Sequence, residues 1–171
     1  NIGGFLTLNN DILAEKLKNN LIVSEGFPTY GGLAGRDLEA ISYGIGEVLQ
    51  EDYLEHRIAQ VNYLGRLLYE AGVPIYRPVG GHAVYVLADK FLPHIPRDQF
   101  PGWALSVELY RISGVRAVEI GGIMFGKKNP ETGEEEFPPL ELLRLAIPRR
   151  VYTGSQLQYV AEALIKLYQN R

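Results

Sequence analysis

The sequence contains no cysteine among its 171 residues, and it has one methionine, one tryptophan and three histidines. The absence of cysteine excludes a disulfide framework, a thiolate metal site and a cysteine nucleophile. No apolar run approaches the roughly 18 residues that a membrane-spanning helix needs, and no signal-peptide pattern opens the chain. These absences predict a soluble, cytoplasmic protein with no membrane partner.

The sequence also lacks an excess of positive charge. It has 17 lysines and arginines and 20 acidic residues, which gives a net charge of −3. Because the basic residues do not cluster either, a partner nucleic acid is not expected. The composition is that of a globular protein of about one domain.

The chain begins with Asn1 and not with methionine, and its first residues look like the inside of a strand. This opening predicts a piece of a longer protein.

Hydrophobic periodicity predicts alternating helices and strands. The clearest helix covers residues 53–71, where apolar residues recur every three or four positions. Further helices are predicted over residues 33–50, over residues 101–113, and after a capping box that begins at Ser155. Strands are predicted over residues 3–8, 73–76, 83–87, 115–125 and 142–147. Residues 126–139 are predicted to form a solvated hairpin or loop.

The pattern of elements changes near residue 50. After residue 72 the order is strand, strand, helix, strand, strand, helix, which predicts an α+β layer with helices packed on one face of a sheet. The preceding strand and helices belong to another unit. We therefore predict a boundary at residues 48–52 that separates residues 1–50 from residues 51–171.

Arg144 is the most informative residue in the chain. It lies in the apolar run LLRLAIP, which begins at residue 142, and strand alternation places it on the face opposite Leu143 and Leu145. A guanidinium in this setting needs an anionic partner, because an unpaired buried charge is costly. Its parallel donors fit a carboxylate. Two partners remain open: an acidic residue of the chain in an internal ion pair, or the carboxylate of a ligand.

Two glycine-rich segments are weaker candidates. His82 follows Gly80 and Gly81, which allow another group to approach closely, and it is either a structural histidine or a neighbour of a bound ligand. The segment TYGGLAGRD (residues 29–37) opens a helix whose free N–H groups can hold an anion. It matches no phosphate-binding motif, so a turn without a ligand is favoured. No carboxylate lies at metal-ligand spacing from the histidines, and a zinc site is not expected.

Six segments in order along the chain carry a family pattern. They are NIGGF (1–5), EGFPTYGGLAGRD (25–37), EHRIAQV (55–61), VGGHA (79–83), GVRAVEIG (114–121) and LRLAIPRRVYT (143–153). Together they resemble the pyridoxal-phosphate-dependent β-eliminating lyases, the family of tryptophanase and tyrosine phenol-lyase. Because the segments keep the family's order over almost the whole chain, the chain is identified as the C-terminal portion of such a protein.

The resemblance implies an α/β subunit of fold type I. Residues 1–50 would form the end of the large cofactor-binding domain with a connecting helix, and residues 51–171 the long connecting helix and the small α+β domain. The implied cofactors are pyridoxal 5′-phosphate and a monovalent cation, potassium or ammonium, and the implied assembly is a homotetramer. The lysine that binds the cofactor precedes the segment matching Asn1. We therefore expect the N-terminal part of the subunit as a partner, an apolar surface exposed on residues 1–50, and no activity in this chain alone.

The resemblance also assigns site residues position by position. Arg144 matches the arginine that binds the substrate's α-carboxylate, and the backbone carbonyl of Asn1 matches a ligand of the monovalent cation. Tyr30 and His82 match residues that line the cleft. Ile120 falls where tyrosine phenol-lyase carries an arginine that hydrogen-bonds the phenol oxygen, and where tryptophanase has isoleucine.

Different segments of the resemblance indicate different substrates. Ile120 favours tryptophanase, whereas residues 34–37 and 148–152 look more like tyrosine phenol-lyase. Since Ile120 is the specificity position, we predict part of a carbon–carbon lyase that cleaves the aromatic amino acid tryptophan to indole, pyruvate and ammonia. The alternatives are tyrosine phenol-lyase, which forms phenol, pyruvate and ammonia from tyrosine, and a non-catalytic autonomous domain derived from this fold.

Overall fold

A computed structural model describes residues 4–27 and 32–171. The chain divides into two compact units, Asn1–Tyr53 and Leu54–Arg171. The assignment of residues 1–50 and 51–171 to the large and small domains of a longer subunit stays a prediction. None of the described helices combines the length and hydropathy that crossing a bilayer requires.

The first unit contains two helices that bury nothing in this chain. They are α1 (Asp11–Ser24) and α2 (Gly35–Val48), and neither has a buried residue. Apolar side chains are exposed along both, among them Ile12, Val23 and Tyr43, at 74%, 86% and 79%. The expected apolar surface is therefore confirmed for the described part of residues 1–50.

The strand predicted over residues 3–8 is wrong for the part that is described. Residues 4–8 form no strand. A strand exchanges backbone hydrogen bonds with a neighbour, and no described segment pairs with these residues.

The longest helix, α3 (Glu51–Glu70), agrees with the helix predicted over residues 53–71. Val61, Leu64 and Leu68 of its apolar stripe are 0–1% exposed, whereas Leu54 and Ile58 are exposed to 44% and 43%. The stripe is therefore buried only in the later turns of the helix. Its end is set by Gly72, whose φ of +78° belongs to the left-handed region that glycine adopts without strain.

The second unit continues with short strands and helices. In chain order they are β1 (Ala83–Leu87), α4 (Ala88–Phe91), a 3₁₀ turn (Arg97–Gln99), α5 (Pro101–Ser113), β2 (Val118–Ile120), α6 (Gly122–Phe125), β3 (Lys127–Lys128), β4 (Glu135–Glu136), β5 (Leu142–Ala146) and α7 (Gly154–Gln169). β1, β5 and β2 form an antiparallel sheet in that order, and β3 pairs with β4 in a hairpin. The solvated hairpin predicted over residues 126–139 is confirmed.

One face of the three-stranded sheet carries the core. Val84, Val86, Leu143 and Leu145 alternate along β1 and β5 and are at most 4% exposed. They join the apolar stripes of α3, α5 and α7 in one buried cluster. The chain is thus a mixed α/β protein with an antiparallel sheet that has helices packed on one face.

Three predicted elements differ in extent. The strand predicted over residues 115–125 is limited to β2, because the chain turns at Gly121 into α6. The strand over residues 73–76 is reduced to one bridge between Ile75 and Val86. The capping box of α7 begins at Thr153 and not at Ser155. The Thr153 N–H donates to the side chain of Gln156 at 2.9 Å, and the Gln156 N–H donates to the Thr153 hydroxyl at 3.4 Å.

Candidate functional site

The sheet face opposite the core carries two of the residues predicted to bind substrate. Tyr85 on β1 and Val118 on β2 are the direct neighbours of Arg144 on β5, and Ile120 is paired with Leu142. Residues paired across strands share a face of the sheet. We call Tyr85, Val118, Ile120 and Arg144 the open face. All four are half-buried, whereas the core-facing side chains are almost fully buried.

Arg144 lies in the middle of the open face without an anionic partner. Its Nε atom is buried and has no hydrogen-bond partner. Within residues 4–27 and 32–171, no carboxylate forms an ion pair with its guanidinium. The internal ion pair that the sequence left open is therefore absent from this part of the chain. A buried donor without an acceptor is costly, so the site fits a carboxylate that arrives from outside.

His82 lies at the edge of the open face beside Tyr85. Its Nε2 atom is 3.4 Å from the Tyr85 hydroxyl, and the two rings meet edge to face with their centroids 6.3 Å apart. The His82 side chain is exposed, and its backbone carbonyl accepts the N–H of Ile147 at 2.8 Å. Tyr85 thus joins His82 to the strand of Arg144.

Ile120 is one diagonal step from Arg144 across the pair β2–β5. Diagonal neighbours on one face are about 7–8 Å apart. Arg144 and Ile120 are therefore close enough for one small molecule on this face to contact both. The structure brings Arg144, Ile120 and His82 to one side of the sheet.

Two buried acidic residues hold the turn that follows Ile120, and the first is Glu119. Its side chain is 4% exposed and lies on the core side of β2, opposite Leu143. One carboxylate oxygen accepts the N–H of Ile123 and the other accepts the N–H of Met124, both at 3.2 Å. These donors lie in the first turn of α6, where helix N–H groups have no partner within the helix.

Glu141 is the second of these residues and is 1% exposed. One of its oxygens accepts the N–H of Gly102 at the start of α5 at 3.2 Å. The other accepts the N–H of Gly122, the first residue of α6, at 2.9 Å. Its backbone carbonyl also accepts the N–H of Ala88. Glu141 therefore joins two helix N-termini to the beginning of β5.

The environment of Glu119 raises the pKa of its carboxyl above the ordinary value. Burial is the largest cause, and the negative charge of Glu141 acts in the same direction, against the lowering effect of the backbone N–H donors. The folded protein therefore holds this proton more tightly than the unfolded chain does. The stability that results is fully present below the ordinary pKa and is lost as the pH rises through the raised pKa.

We expect Glu119→Gln to remove this pH dependence. In the parent protein the thermal midpoint should include a component that falls as the pH rises from about 4.3, the ordinary pKa of a glutamate, upward through the raised pKa. Glutamine does not titrate. The measurement is the thermal midpoint against pH for both proteins. Glu135→Gln, which changes an exposed carboxylate of the hairpin, is the matched control and should keep the parent's slope. Equal slopes for Glu119→Gln and the parent would contradict the prediction.

Two residues of α3 that the sequence analysis did not single out fasten the chain after β5. The Arg57 guanidinium donates to the carbonyl of Ile147, and the Gln60 amide donates to the carbonyl of Tyr152 at 2.8 Å. Both donors lie on one side of α3, three residues apart. They fix the segment that leaves β5 just after Arg144. The resemblance marked EHRIAQV as a family segment, which is the signal that could have pointed to them.

Two further predicted positions, Asn1 and Tyr30, lie outside the described residues, as do residues 29–31 of the glycine-rich segment. In the described ranges no lysine lies on β1, β2 or β5. The same ranges contain no group of three or more acidic or histidine side chains that could hold a metal ion.

Comparisons with known proteins agree with the resemblance. The profile of the family described as Beta-eliminating lyase matches residues 1–163. A tyrosine phenol-lyase of Symbiobacterium sp. strain SC-1 is 54% identical over 171 residues, which is all of this chain and 37% of that protein. A tryptophanase of Salinibacter ruber is 59% identical over 162 residues, which is 95% of this chain and 34% of that protein.

A probable tryptophanase of Aeropyrum pernix is similar to the same extent, with 54% identity over 167 residues. Relatives of both names match at similar identity, so identity alone does not choose between the two substrates. The chain spans about a third of the length of these relatives. A family profile that matches nearly the whole chain settles the family: the chain belongs to the β-eliminating lyases.

Proposed function

We propose that the protein containing this chain is a pyridoxal-phosphate-dependent lyase that cleaves tryptophan to indole, pyruvate and ammonia. The single observation that carries the proposal is the unpartnered guanidinium of Arg144 on the open face, one diagonal step from Ile120. In this arrangement Arg144 binds the α-carboxylate of the substrate, and Ile120 faces its aromatic side chain.

Arg144 has a positioning role in this proposal. A bidentate contact between guanidinium and carboxylate fixes the orientation of the amino acid, and with it the direction of the Cα–H bond. His82 and Tyr85 border the same face beside Arg144. Pyridoxal phosphate, when bound, supplies an electron sink for the removal of the Cα proton. Because Arg144 and Ile120 share the open face, we assign this chain to the substrate side of the cleft.

Ile120 supports tryptophan over tyrosine. An isoleucine side chain offers no hydrogen bond to a phenol oxygen, and a polar group buried without a partner lowers binding. An indole ring is larger and more apolar, and it gains from contact with isoleucine. Residues 34–37 and 148–152 support tyrosine as the second candidate, since they look more like tyrosine phenol-lyase.

The exposed helices of the first unit support a larger subunit. Neither α1 nor α2 buries a residue in this chain, and an apolar surface of this kind is typical of an interface. We propose that it packs against the rest of a fold-type-I large domain, within a homotetramer that binds a monovalent cation near Asn1. The same observation counts against an autonomous, non-catalytic domain.

The test is a product assay with the full-length protein and pyridoxal phosphate. We expect indole, pyruvate and ammonia in equal amounts from tryptophan, and a lower kcat/KM for release of phenol from tyrosine. A higher kcat/KM for tyrosine would make the protein a tyrosine phenol-lyase. Absence of pyruvate from both amino acids would favour the non-catalytic domain.

A further inference from the structure

We infer that Glu119 and Glu141 are a positioning pair that sets how the protein discriminates between aromatic side chains. They fix the backbone of Ile120, and through it the contact that this residue makes with the substrate's ring. The inference rests on the proposed function of Ile120 and Arg144. It concerns two residues that lie outside the open face.

The sheet by itself holds Ile120 weakly. β2 has three residues, it is an edge strand, and Ile120 is its last residue. The next element, α6, is a single turn of four residues. Such short elements have little stability of their own, because one turn of helix fixes several backbone angles for few hydrogen bonds. The position of Ile120 therefore depends on contacts from elsewhere in the fold.

The two glutamates supply those contacts. The first three N–H groups of α6, from Gly122, Ile123 and Met124, all donate to their carboxylates at 2.9–3.2 Å. The remaining carboxylate oxygen, on Glu141, accepts the N–H of Gly102 at the start of α5. These bonds hold the backbone on the C-terminal side of Ile120.

The chain between Ile120 and α6 also lies close to both carboxylates. A Cβ atom built on Gly121 would lie 2.7 Å from an oxygen of Glu119 and closer still to an oxygen of Glu141. The backbone thus passes directly against both carboxylates. Glu141 immediately precedes β5, so the same pair links the position of Ile120 to the strand that carries Arg144.

The glutamates do not form a ligand site of their own. Their carboxylates accept hydrogen bonds from backbone N–H groups. Among the described residues no lysine or arginine forms an ion pair with them. Glu119 points to the core side of the sheet and cannot meet a substrate on the open face. The pair therefore acts on the substrate's ring only by way of Ile120.

The test is Glu119→Gln in the full-length protein with pyridoxal phosphate. Glutamine keeps the size of the side chain, but its amide nitrogen cannot accept the N–H that one carboxylate oxygen accepts. We expect kcat/KM for tryptophan to fall about tenfold, mainly through KM, and the inhibition constant of L-alanine to change less than about twofold. L-alanine has the α-carboxylate but no ring. Glu135→Gln is the control and should change neither quantity.

Ile120→Ala, alone and combined with Glu119→Gln, separates this inference from the proposed function. If Ile120→Ala leaves the tryptophan-to-tyrosine ratio of kcat/KM unchanged, the proposed role of Ile120 is wrong and the positioning role falls with it. If Ile120→Ala changes the ratio, we expect Glu119→Gln to add little in that background. If the effects of Glu119→Gln and Ile120→Ala on the free energy from kcat/KM add fully, the positioning role alone is overturned. The same holds if Glu119→Gln weakens the binding of tryptophan and of L-alanine equally.

Glu141→Gln repeats the test from the second carboxylate, with the same expected result. Far-ultraviolet circular dichroism and the thermal midpoint show whether each variant is folded. If neither glutamine variant folds, the positioning role is overturned, because the pair is then required for the fold itself.

Discussion

Arg144→Ala in the full-length protein is expected to lower kcat/KM for tryptophan and for tyrosine by the same factor, about 10- to 150-fold. A hydrogen bond to a charged group contributes about 1.5–3 kcal/mol, which corresponds to that range. The fall in kcat/KM should be the same for both substrates because both amino acids carry the same α-carboxylate. The guanidinium has no ion pair among the described residues, so the substitution should leave the thermal midpoint nearly unchanged. Steady-state kinetics with both substrates measure the effect.

Two further variants make this result specific. Arg144→Lys keeps the positive charge but lacks the planar fork of donors, and it should recover part of the loss. Arg116→Ala removes an exposed arginine two residues before β2 and should leave both substrates unaffected. An Arg144→Ala protein that loses only one substrate, or neither, would show that another group binds the carboxylate.

The elements that the sequence predicts well are those whose limits are set by local residues. The helix predicted over residues 101–113 is found as α5, with Pro101 as its first residue and Gly114 beyond its end at a φ of +70°. The end of β2 is different. The run from Val115 to Phe125 is apolar enough to predict one strand, and the first N–H of the helix that interrupts it donates to Glu141, which is 19 residues from Gly122. A contact at that distance in sequence has no local signal.

The same distinction applies to the candidate site. Arg144 could be recognised because a charged residue among leucines is unusual wherever the strand lies. Tyr85 could not, because its place beside Arg144 depends on the register between β1 and β5. Glu119 had a local signal that the sequence analysis passed over. A carboxylate between Val118 and Ile120 is as unusual as the arginine, and its partner Glu141 directly precedes the strand of Arg144.

Ile120→Arg is expected to change the substrate preference itself. The backbone of the new arginine would lie about 7–8 Å from that of Arg144 on the same face, and its guanidinium adds a hydrogen-bond donor for a phenol oxygen. The substitution would also remove the contact between isoleucine and an indole ring. In its place it would put an unpaired positive charge against that ring. We expect the ratio of kcat/KM for tryptophan to that for tyrosine to fall at least about tenfold. The loss of tryptophan activity should exceed any gain with tyrosine, since one substitution does not rebuild the remainder of the pocket.

Ile120→Met is the matched control for that change. Methionine is unbranched like arginine but apolar like isoleucine, so the ratio should stay within about threefold of the parent's. The measurement is kcat/KM for both amino acids in the parent and in the two variants. If the parent already prefers tyrosine, or if arginine leaves the ratio unmoved, Ile120 does not select the substrate. Residues 34–37 and 148–152, which look like tyrosine phenol-lyase, would then be the better guide to what the protein cleaves.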